Sequence, residues 1–196
     1  KVQANQLLIV KLSKLAFFRA DYSQKIINEQ GETLLEGTGN LAISKPNLIN
    51  WKTITPDETL LISDGNTLWS YDPFIEQATA YSLAKSINNT PILLLTSDDP
   101  VLWQQYHVTQ EDNRFVVTPK NNNGQIRRLT LRFATNEQNN GALTDEGSVQ
   151  LSEFSFQDAT GQLSQISLSN FNSKTKPDEA LFTFVLPEGE RLEDKR

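Results

Sequence analysis

The sequence predicts a mostly β protein of the α+β class, in which one large antiparallel sheet is accompanied by a few helices. Three observations support this prediction. Most of the chain alternates apolar and polar residues between turn signals, and the apolar residues of its first segment recur at helical spacing. The alternation is interrupted once, over residues 79–106. A flat sheet of so many strands is unfavourable, so the sheet is expected to curl. A chain of 196 residues is expected to form a single domain, residues 1–196.

The N-terminal segment, residues 1–18, is predicted to contain an amphipathic helix. Apolar side chains recur at helical spacing from Gln6 to Phe18, with Leu8, Leu12 and Leu15 on one stripe. Such a stripe needs an apolar surface to pack on.

The next two strands are predicted from Tyr22 to Ile27 and from Thr33 to Ile43. The second contains the run Gly37-Thr38-Gly39-Asn40-Leu41-Ala42, which matches the dinucleotide-binding pattern G-x-G-x-x-A. That motif must open a helix, and Pro46 would end one at once. We therefore interpret the two glycines as a bend or bulge in a curved strand.

The stretch that follows carries the densest apolar pattern of the chain. With a period of two, Ile49, Trp51 and Thr53 fall on one face together with Lys45. A hairpin is predicted next, with its turn at Asp64-Gly65. We predict that its large side chains, together with Trp51, form an inner wall; the candidates are Trp51, Leu60, Ile62 and Trp69.

Residues 79–106 are predicted to be an insertion of short helices. Thr90 is a plausible N-cap and Pro91 suits the first helical position. The four consecutive aliphatic residues from Ile92 to Leu95 would be unfavourable on a loop that faces water. We therefore predict that this insertion lies against the sheet.

The rest of the chain is predicted to be a meander of strands that ends in a solvated tail, residues 187–196. Asn139-Asn140-Gly141 is one of its turn signals. The predicted strands are Phe115–Thr118, Ile126–Phe133, Val149–Phe156, Leu163–Phe171 and Leu181–Leu186.

The composition excludes several classes of function. A net charge of −6 and a pI near 4.9 argue against nucleic acid or an anionic membrane as the main partner. The absence of cysteine excludes disulfides and thiolate metal sites. No apolar run approaches the roughly 20 residues of a membrane span. A start at Lys1, without an initiator Met or an apolar signal core, would fit either a processed mature form or a trimmed chain.

The sequence contains no recognisable catalytic constellation. His107 is the only histidine and is expected to lie on the surface of a strand, so catalytic triads and histidine-rich zinc sites have no basis. The acidic pairs Asp57-Glu58 and Asp98-Asp99 sit beside prolines, where carboxylates ordinarily serve as turn and cap residues. We predict a protein that is not an enzyme and needs no metal or cofactor.

The apolar residues permit two interpretations. They can form an ordinary core beneath the helices, or they can enclose a cavity for an apolar ligand with the helices as a lid. Periodicity alone does not separate the two.

Several sequence motifs bear on this choice. They are Lys45-Pro46-Asn47-Leu48-Ile49-Asn50-Trp51, Pro56-Asp57-Glu58, Ser63-Asp64-Gly65 with Thr67-Leu68-Trp69, Tyr71-Asp72-Pro73-Phe74, Glu76-Gln77-Ala78-Thr79-Ala80 and Asn89-Thr90-Pro91, followed by Trp103-Gln104-Gln105-Tyr106, Thr118-Pro119-Lys120 and Phe182-Thr183-Phe184. In this order, over nearly the whole chain, they resemble the LolA family of periplasmic lipoprotein carriers.

The resemblance implies an unclosed, half β-barrel covered by a helical lid, with a hydrophobic cavity that holds acyl chains. It further implies a monomeric periplasmic chaperone that accepts lipoproteins from an inner-membrane ABC transporter and passes them to an outer-membrane receptor. The alternatives are a receptor-like protein of the same fold, which would carry a lipidated Cys, and a generic lipid-binding half-barrel.

The resemblance also assigns roles to residues. Lys45 occupies the position of a family arginine that latches the lid, and it offers fewer donors than a guanidinium. Ile49 stands at the cavity mouth and Leu12 faces the lid. The expected lipid-binding residues are Leu12, Ile49, Trp51, Leu60, Ile62, Trp69, Ile92, Leu93 and Leu95, with Leu94 in the same apolar run of the lid.

Overall fold

The computed structural model describes residues 3–97, 99–121, 124–134 and 149–196. It shows one unclosed sheet of twelve strands, and this confirms the predicted fold class. All neighbouring strands are antiparallel except the last strand of the chain, which runs parallel to the sixth. The predicted turn at Asn139-Asn140-Gly141 lies outside the described residues, as do Asp98, Asn122 and Asn123.

The secondary structure elements are as follows. The strands are β1 (Phe17–Ile27), β2 (Thr33–Ser44), β3 (Leu48–Thr55), β4 (Thr59–Asp64), β5 (Thr67–Asp72), β6 (Gln77–Ser82), β7 (Tyr106–Glu111), β8 (Arg114–Pro119), β9 (Ile126–Phe133), β10 (Leu151–Asp158), β11 (Leu163–Asn172) and β12 (Arg191–Asp194). The helices are α1 (Ala4–Ser13), α2 (Leu83–Ser86), α3 (Pro91–Leu94) and α4 (Pro100–Trp103), with 3₁₀ turns at Ile87–Asn89 and Glu179–Phe182. Within the described ranges, none of the helices is both long and apolar enough to cross a membrane.

The order of the strands across the sheet differs from their order along the chain. The order is β12-β6-β5-β4-β3-β2-β1-β11-β10-β9-β8-β7. The chain therefore builds one half of the sheet up to β6, passes through the short helices, and builds the other half from the opposite edge.

One face of the sheet, which we call the inner face, carries the main core. Directly paired residues share a face, so the register follows this face from strand to strand. It contains fully buried side chains from both halves of the sheet: Leu41, Ile43, Ile49, Phe115, Leu129, Leu131, Phe154 and Ile166.

The helices lie on this inner face. Leu8 and Leu12 of α1 and the aliphatic run from Ile92 to Leu95 are buried in the same apolar cluster as the strands. The predicted packing of the insertion against the sheet is confirmed. Its bounds are narrower than predicted, because β6 continues to Ser82 and β7 begins at Tyr106. We call residues 83–105 the lid.

The predicted extension of the first helix to Phe18 is wrong. The helix ends at Ser13, and Phe18 lies in β1 opposite Ile43. Leu15 and Phe18 are buried as expected, but Leu15 lies in the connection after the helix and Phe18 lies in β1. Backbone pairing with β2 from Phe17 onwards outweighs further helix, because it adds a hydrogen-bonded ladder as well as burial.

A bulge lies beside the two glycines of β2, but its extra residue is Ile54 of β3, because Thr38 pairs with Thr55 and Gly39 with Thr53. The register between β2 and β3 shifts at Thr38 and Gly39. A Cβ on Gly39 would overlap the carbonyl oxygen of Lys52 and the ring of Tyr22. The glycines therefore allow close approach between strands and form no phosphate-binding loop.

The C-terminal part of the chain crosses the opposite, outer face of the sheet. We call residues 173–190 the strap. It contacts β3 and β4 through its 3₁₀ turn, and the predicted strand Leu181–Leu186 is wrong. The predicted solvated tail is also wrong in part: residues 191–194 are exposed but pair with β6 as β12. This pairing uses backbone groups that an edge strand would otherwise leave open.

Candidate functional site

Lys45 lies just after β2, where the sheet meets the first helix. Its Nζ donates a hydrogen bond of 2.6 Å to the carbonyl oxygen of Leu12, in the last turn of α1. The C-terminal end of a helix carries partial negative charge and unpaired carbonyl groups, so a cation is favourable there. The turn that carries Lys45 is fixed by the hydroxyl of Ser63, which donates to the carbonyl oxygen of Asn47.

Ile49 and Trp51 lie on the inner face, as predicted. Ile49 is fully buried, and Trp51 is partly buried between two aromatic rings. The ring centroids of Trp51 and Tyr22 are 4.7 Å apart, and those of Trp51 and Phe154 are 5.8 Å apart. The Tyr22 and Thr53 hydroxyl groups are hydrogen-bonded at 2.7 Å, while burial raises the pKa of Tyr22. Trp51 thus joins the first half of the sheet to the second.

The predicted placement of Leu60, Ile62 and Trp69 on the inner wall is wrong. Ile62 pairs with Asn50 and with Trp69, so these side chains lie on the outer face. Leu60 pairs with Lys52 and lies on the outer face as well. The inner positions of the hairpin are the neighbouring ones, which alternate with the predicted set: Leu61, Ser63, Leu68 and Ser70.

The error has a simple physical cause. The hairpin β4–β5 has a two-residue loop, Gly65-Asn66, in which Gly65 has a φ of +94°. This loop places Ser63 opposite Leu68, and the β3 pairing places Ser63 opposite Ile49. A shift of one residue in register moves every side chain of a strand to the other face. Ile62 and Trp69 are paired within the hairpin, so the turn alone does not show which face is inner. The register with β3, which places Leu61 opposite Trp51, identifies Leu61 and Leu68 as the inner residues.

The outer face of β3–β5 has an apolar cluster of its own beneath the strap. The ring of Phe184 lies 5.2 Å from that of Trp69 and 5.4 Å from that of Tyr71. Asn50 Nδ2 donates a 2.7 Å hydrogen bond to the carbonyl oxygen of Leu181. Leu60, Ile62 and Trp69 are therefore covered by the C-terminal part of the chain and do not belong to the inner wall.

The described part of the lid fills the inner face with its own side chains. Ile92, Leu93, Leu94 and Leu95 are each at most 5% exposed. The hydroxyl of Thr96 donates to the carbonyl oxygen of Leu93 at 2.8 Å. The helices α2, α3 and α4 have four residues each, too few to be stable in isolation. Packing on the sheet therefore holds this segment in place.

An opening lies between the lid and strands β7–β9. It has a volume of about 260 Å³, and its lining combines the apolar residues Leu94, Val117 and Leu129 with the polar residues Lys85 and Gln105. The opening borders the buried cluster directly, because Leu94, Val117 and Leu129 belong to that cluster. It is a place where an apolar chain could begin to enter.

The remaining candidates behave as structural residues. His107 is exposed on β7, as predicted. Asp99 caps α4 by accepting a hydrogen bond from the Val101 amide at 3.0 Å, and Glu58 lies 3.9 Å from Lys52. In the ranges that the structure describes, no three His, Cys, Asp or Glu side chains are grouped so that they could hold a metal ion.

Comparison with known proteins gives a consistent set of relatives. The family model of the outer membrane lipoprotein carrier protein LolA matches residues 13–185. An outer-membrane lipoprotein carrier protein of Photorhabdus laumondii subsp. laumondii is 38% identical over 193 residues, which cover 98% of this chain and 89% of the relative. A protein of the same description from Pectobacterium carotovorum subsp. carotovorum is 40% identical over 186 residues, which cover 95% and 85%.

Solved structures share the fold at much lower identity. A LolA superfamily protein from Nitrosomonas europaea has a TM-score of 0.53 and 12% identity, with 94% of this chain and 99% of that chain covered. A putative outer membrane lipoprotein-sorting protein domain from Vibrio parahaemolyticus has a TM-score of 0.51 and 12% identity, with 92% and 96% covered. At these identities the likeness concerns the fold alone.

Proposed function

The chain belongs to the LolA family of outer membrane lipoprotein carrier proteins, and we propose that it carries lipoproteins through the periplasm with their acyl chains sheltered on the inner face. The relatives are named as carriers of outer-membrane lipoproteins.

Exposing the acyl chains of a lipoprotein to water costs a large amount of free energy. Burying one methylene group contributes roughly 0.8 kcal/mol, so one long acyl chain carries on the order of 10 kcal/mol of transfer free energy. A lipoprotein cannot cross an aqueous compartment with such a chain exposed to water. The carrier must also release the lipoprotein, so it must bind the acyl chain less tightly than the membrane that finally receives it.

One observation carries the proposal: the inner face is covered by segments that belong to no strand of the sheet. The aliphatic residues of α1 and of the lid occupy the apolar surface of the sheet. An incoming acyl chain can replace these contacts one for one. We propose that it contacts Leu12, Ile49, Trp51, Ile92, Leu93 and Leu95.

This exchange keeps the free-energy difference between empty and loaded states small. In the empty state the lid covers the apolar surface of the sheet, and in the loaded state the acyl chain covers it. The cargo therefore does not gain the full free energy of burial, because the displaced aliphatic side chains lose part of theirs. A binding site of this kind can pass its cargo to a membrane.

Lys45 sets the balance between the two states in this proposal. Its hydrogen bond to Leu12 stabilises the closed arrangement of α1 on the sheet. When the cargo leaves, re-formation of that bond favours closure and opposes the return of the cargo. Lys45 thus acts as a latch on α1, with one ammonium group in place of the planar fork of the family arginine.

The partners in the proposed cycle are acylated lipoproteins, an inner-membrane ABC transporter that releases them, and an outer-membrane receptor that accepts them. The carrier performs no covalent chemistry and binds no cofactor. It works as a monomer, and ATP hydrolysis by the transporter supplies the free energy of loading.

The test is a release experiment with the purified chain. Inner-membrane vesicles that contain the transporter and a triacylated lipoprotein are incubated with the chain, with and without ATP, and the soluble fraction is separated by size. We expect a one-to-one complex of carrier and lipoprotein only with ATP, and its cargo should pass to receptor-containing vesicles. If fatty acids or phospholipids bind but no lipoprotein leaves the membrane, the chain is a lipid-binding module of another kind.

A further inference from the structure

The turn between β5 and β6 presents two large apolar side chains to solvent. Phe74 is 90% exposed and Ile75 is 59% exposed. They are adjacent in sequence, and we call the pair the apolar tip. Phe74 is the most exposed of the large apolar side chains in the described ranges, and Ile75 extends the apolar surface beside it, as at an interaction site.

The backbone of the turn is held firmly. Asp72 accepts a 3.0 Å hydrogen bond from the Phe74 amide, and the Glu76 amide donates to the carbonyl oxygen of Pro73 at 3.3 Å. From β12, the Arg191 amide donates to the carbonyl oxygen of Glu76 at 3.0 Å. The apolar tip is therefore preorganised, and a partner would not need to order it on binding.

Carboxylates surround the apolar tip. The register of β4 and β5 places Leu60 opposite Tyr71, so Glu58 lies beside the end of β5. Tyr71 donates a 2.6 Å hydrogen bond to Glu190, and Glu76 belongs to the turn itself. The hydrogen bond to Glu190, followed by burial and the negative charges of Glu190, Glu76 and Glu58, raises the pKa of Tyr71 to about 12.

The nearby cations do not cancel this negative charge. The ammonium of Lys52 lies 3.9 Å from Glu58, and the guanidinium of Arg191 is hydrogen-bonded to the side chain of Gln77. Against these two cations stand Asp57, Glu58, Asp72, Glu76 and Glu190 in the adjoining turns and strap. An anionic membrane surface would be repelled at this position.

We propose that the apolar tip inserts into an apolar pocket, rimmed by basic side chains, on the protein that loads this carrier. The choice of partner rests on the proposed function. The apolar tip is fully formed in a structure whose inner face is filled by the lid, and this empty form is the one that meets the loading transporter. An apolar contact within a ring of opposite charges gives both affinity and orientation.

The test uses two variants with a matched control. Phe74→Ser removes most of the apolar tip, whereas Leu34→Ser removes an apolar side chain that is 52% exposed on β2, three strands away from β5 in the sheet. A third variant, Glu58→Gln with Glu76→Gln, removes charge and leaves the apolar tip. The carrier concentration that gives half-maximal lipoprotein release is measured in transporter proteoliposomes with ATP.

We expect Phe74→Ser to raise this half-saturating concentration about tenfold or more, since the buried area of a phenyl ring corresponds to at least that factor. Leu34→Ser should leave it unchanged. Higher salt should raise it for the wild type and much less for the double Gln variant. Binding of a soluble acylated peptide by all variants should equal that of the wild type.

Two results would overturn the inference. One is an unchanged half-saturating concentration for Phe74→Ser while acyl binding is normal. The other is Phe74-dependent binding of the carrier to protein-free phosphatidylglycerol vesicles, which would assign the apolar tip to lipid. Failure of the wild type to bind the acylated peptide would instead contradict the proposed function, so the two failures are distinguishable.

Discussion

The ammonium group of Lys45 lies 2.6 Å from the backbone carbonyl oxygen of Leu12 and so joins the end of β2 to the last turn of α1. Leu12 itself is buried against the sheet, in the same apolar cluster as Ile49. One hydrogen bond therefore couples the position of the first helix to the edge of the inner face. A change in this bond should alter the balance between the open and the closed arrangement.

Replacement of Lys45 by leucine should slow delivery and leave uptake intact. A hydrogen bond from a charged donor contributes about 1.5–3 kcal/mol, so its loss should shift the balance toward the open state by roughly ten- to a hundredfold. The rate of cargo transfer from a preformed complex to receptor vesicles measures the effect. Lys45→Arg keeps the charge and the donors and should deliver normally. Transfer by Lys45→Leu at the wild-type rate would show that the bond is not a latch.

Two isoleucines of equal burial on opposite faces should separate stability from binding. Ile49 is 0% exposed on the inner face and Ile62 is 3% exposed on the outer face. Replacement of either by alanine should lower the free energy of unfolding by about 2–5 kcal/mol. Only Ile49→Ala should also weaken the binding of an acylated peptide. Equal loss of binding in both variants would mean that the faces do not differ in function.

The strap should be fixed by the contact between Phe184 and Trp69. Their ring centroids are 5.2 Å apart, and such aromatic pairs contribute about 0.5–1.5 kcal/mol beyond simple burial. A double-mutant cycle with Phe184→Leu and Trp69→Leu, followed by urea unfolding, should give a coupling energy in that range. Additive effects of the two substitutions would indicate that the rings do not interact.

The hydrogen bond from Tyr71 to Glu190 should make stability depend on alkaline pH. Glu190 raises the pKa of Tyr71 from 10.0 to about 12, so the neutral phenol is favoured in the folded state. The resulting stabilisation is complete below pH 10 and is lost as the pH rises from about 10 to 12. The wild type should therefore lose more stability than Tyr71→Phe over this interval, as measured by urea unfolding. Parallel pH profiles for the two proteins would contradict the assignment.

The sequence was sufficient for the fold class because its alternation and turn signals are local. The aliphatic run from Ile92 to Leu95 could be placed against the sheet because no exposed position tolerates four such residues. Ile49 and Trp51 could be placed on the inner face because both lie in one uninterrupted strand, β3. The prediction that Lys45 belongs to the same strand is wrong, because a turn at residues 45–47 separates it from β3.

The outer-face residues could not be assigned in this way, since their side depends on the register between strands. Leu60, Ile62 and Trp69 are as bulky as inner residues, and only the register between β3 and β4 decides their face. The strap that covers them is remote in sequence, so the sequence of the hairpin does not indicate a second apolar cluster. The end of α1 was missed for a similar reason, because pairing between β1 and β2 overrides helical spacing.

The most direct experiment determines whether a bound acyl chain contacts the inner or the outer face of the sheet. The chain has three tryptophans, and two of them lie on opposite faces of the sheet: Trp51 on the inner and Trp69 on the outer. Single-tryptophan variants that keep one of these two, with the others changed to phenylalanine, are mixed with a lipopeptide whose acyl chain carries bromine. Bromine quenches the fluorescence of an indole that it touches. If the acyl chain binds on the inner face, the fluorescence of Trp51 should be quenched and that of Trp69 should not. Quenching of Trp69 with unchanged fluorescence of Trp51 would contradict binding on the inner face.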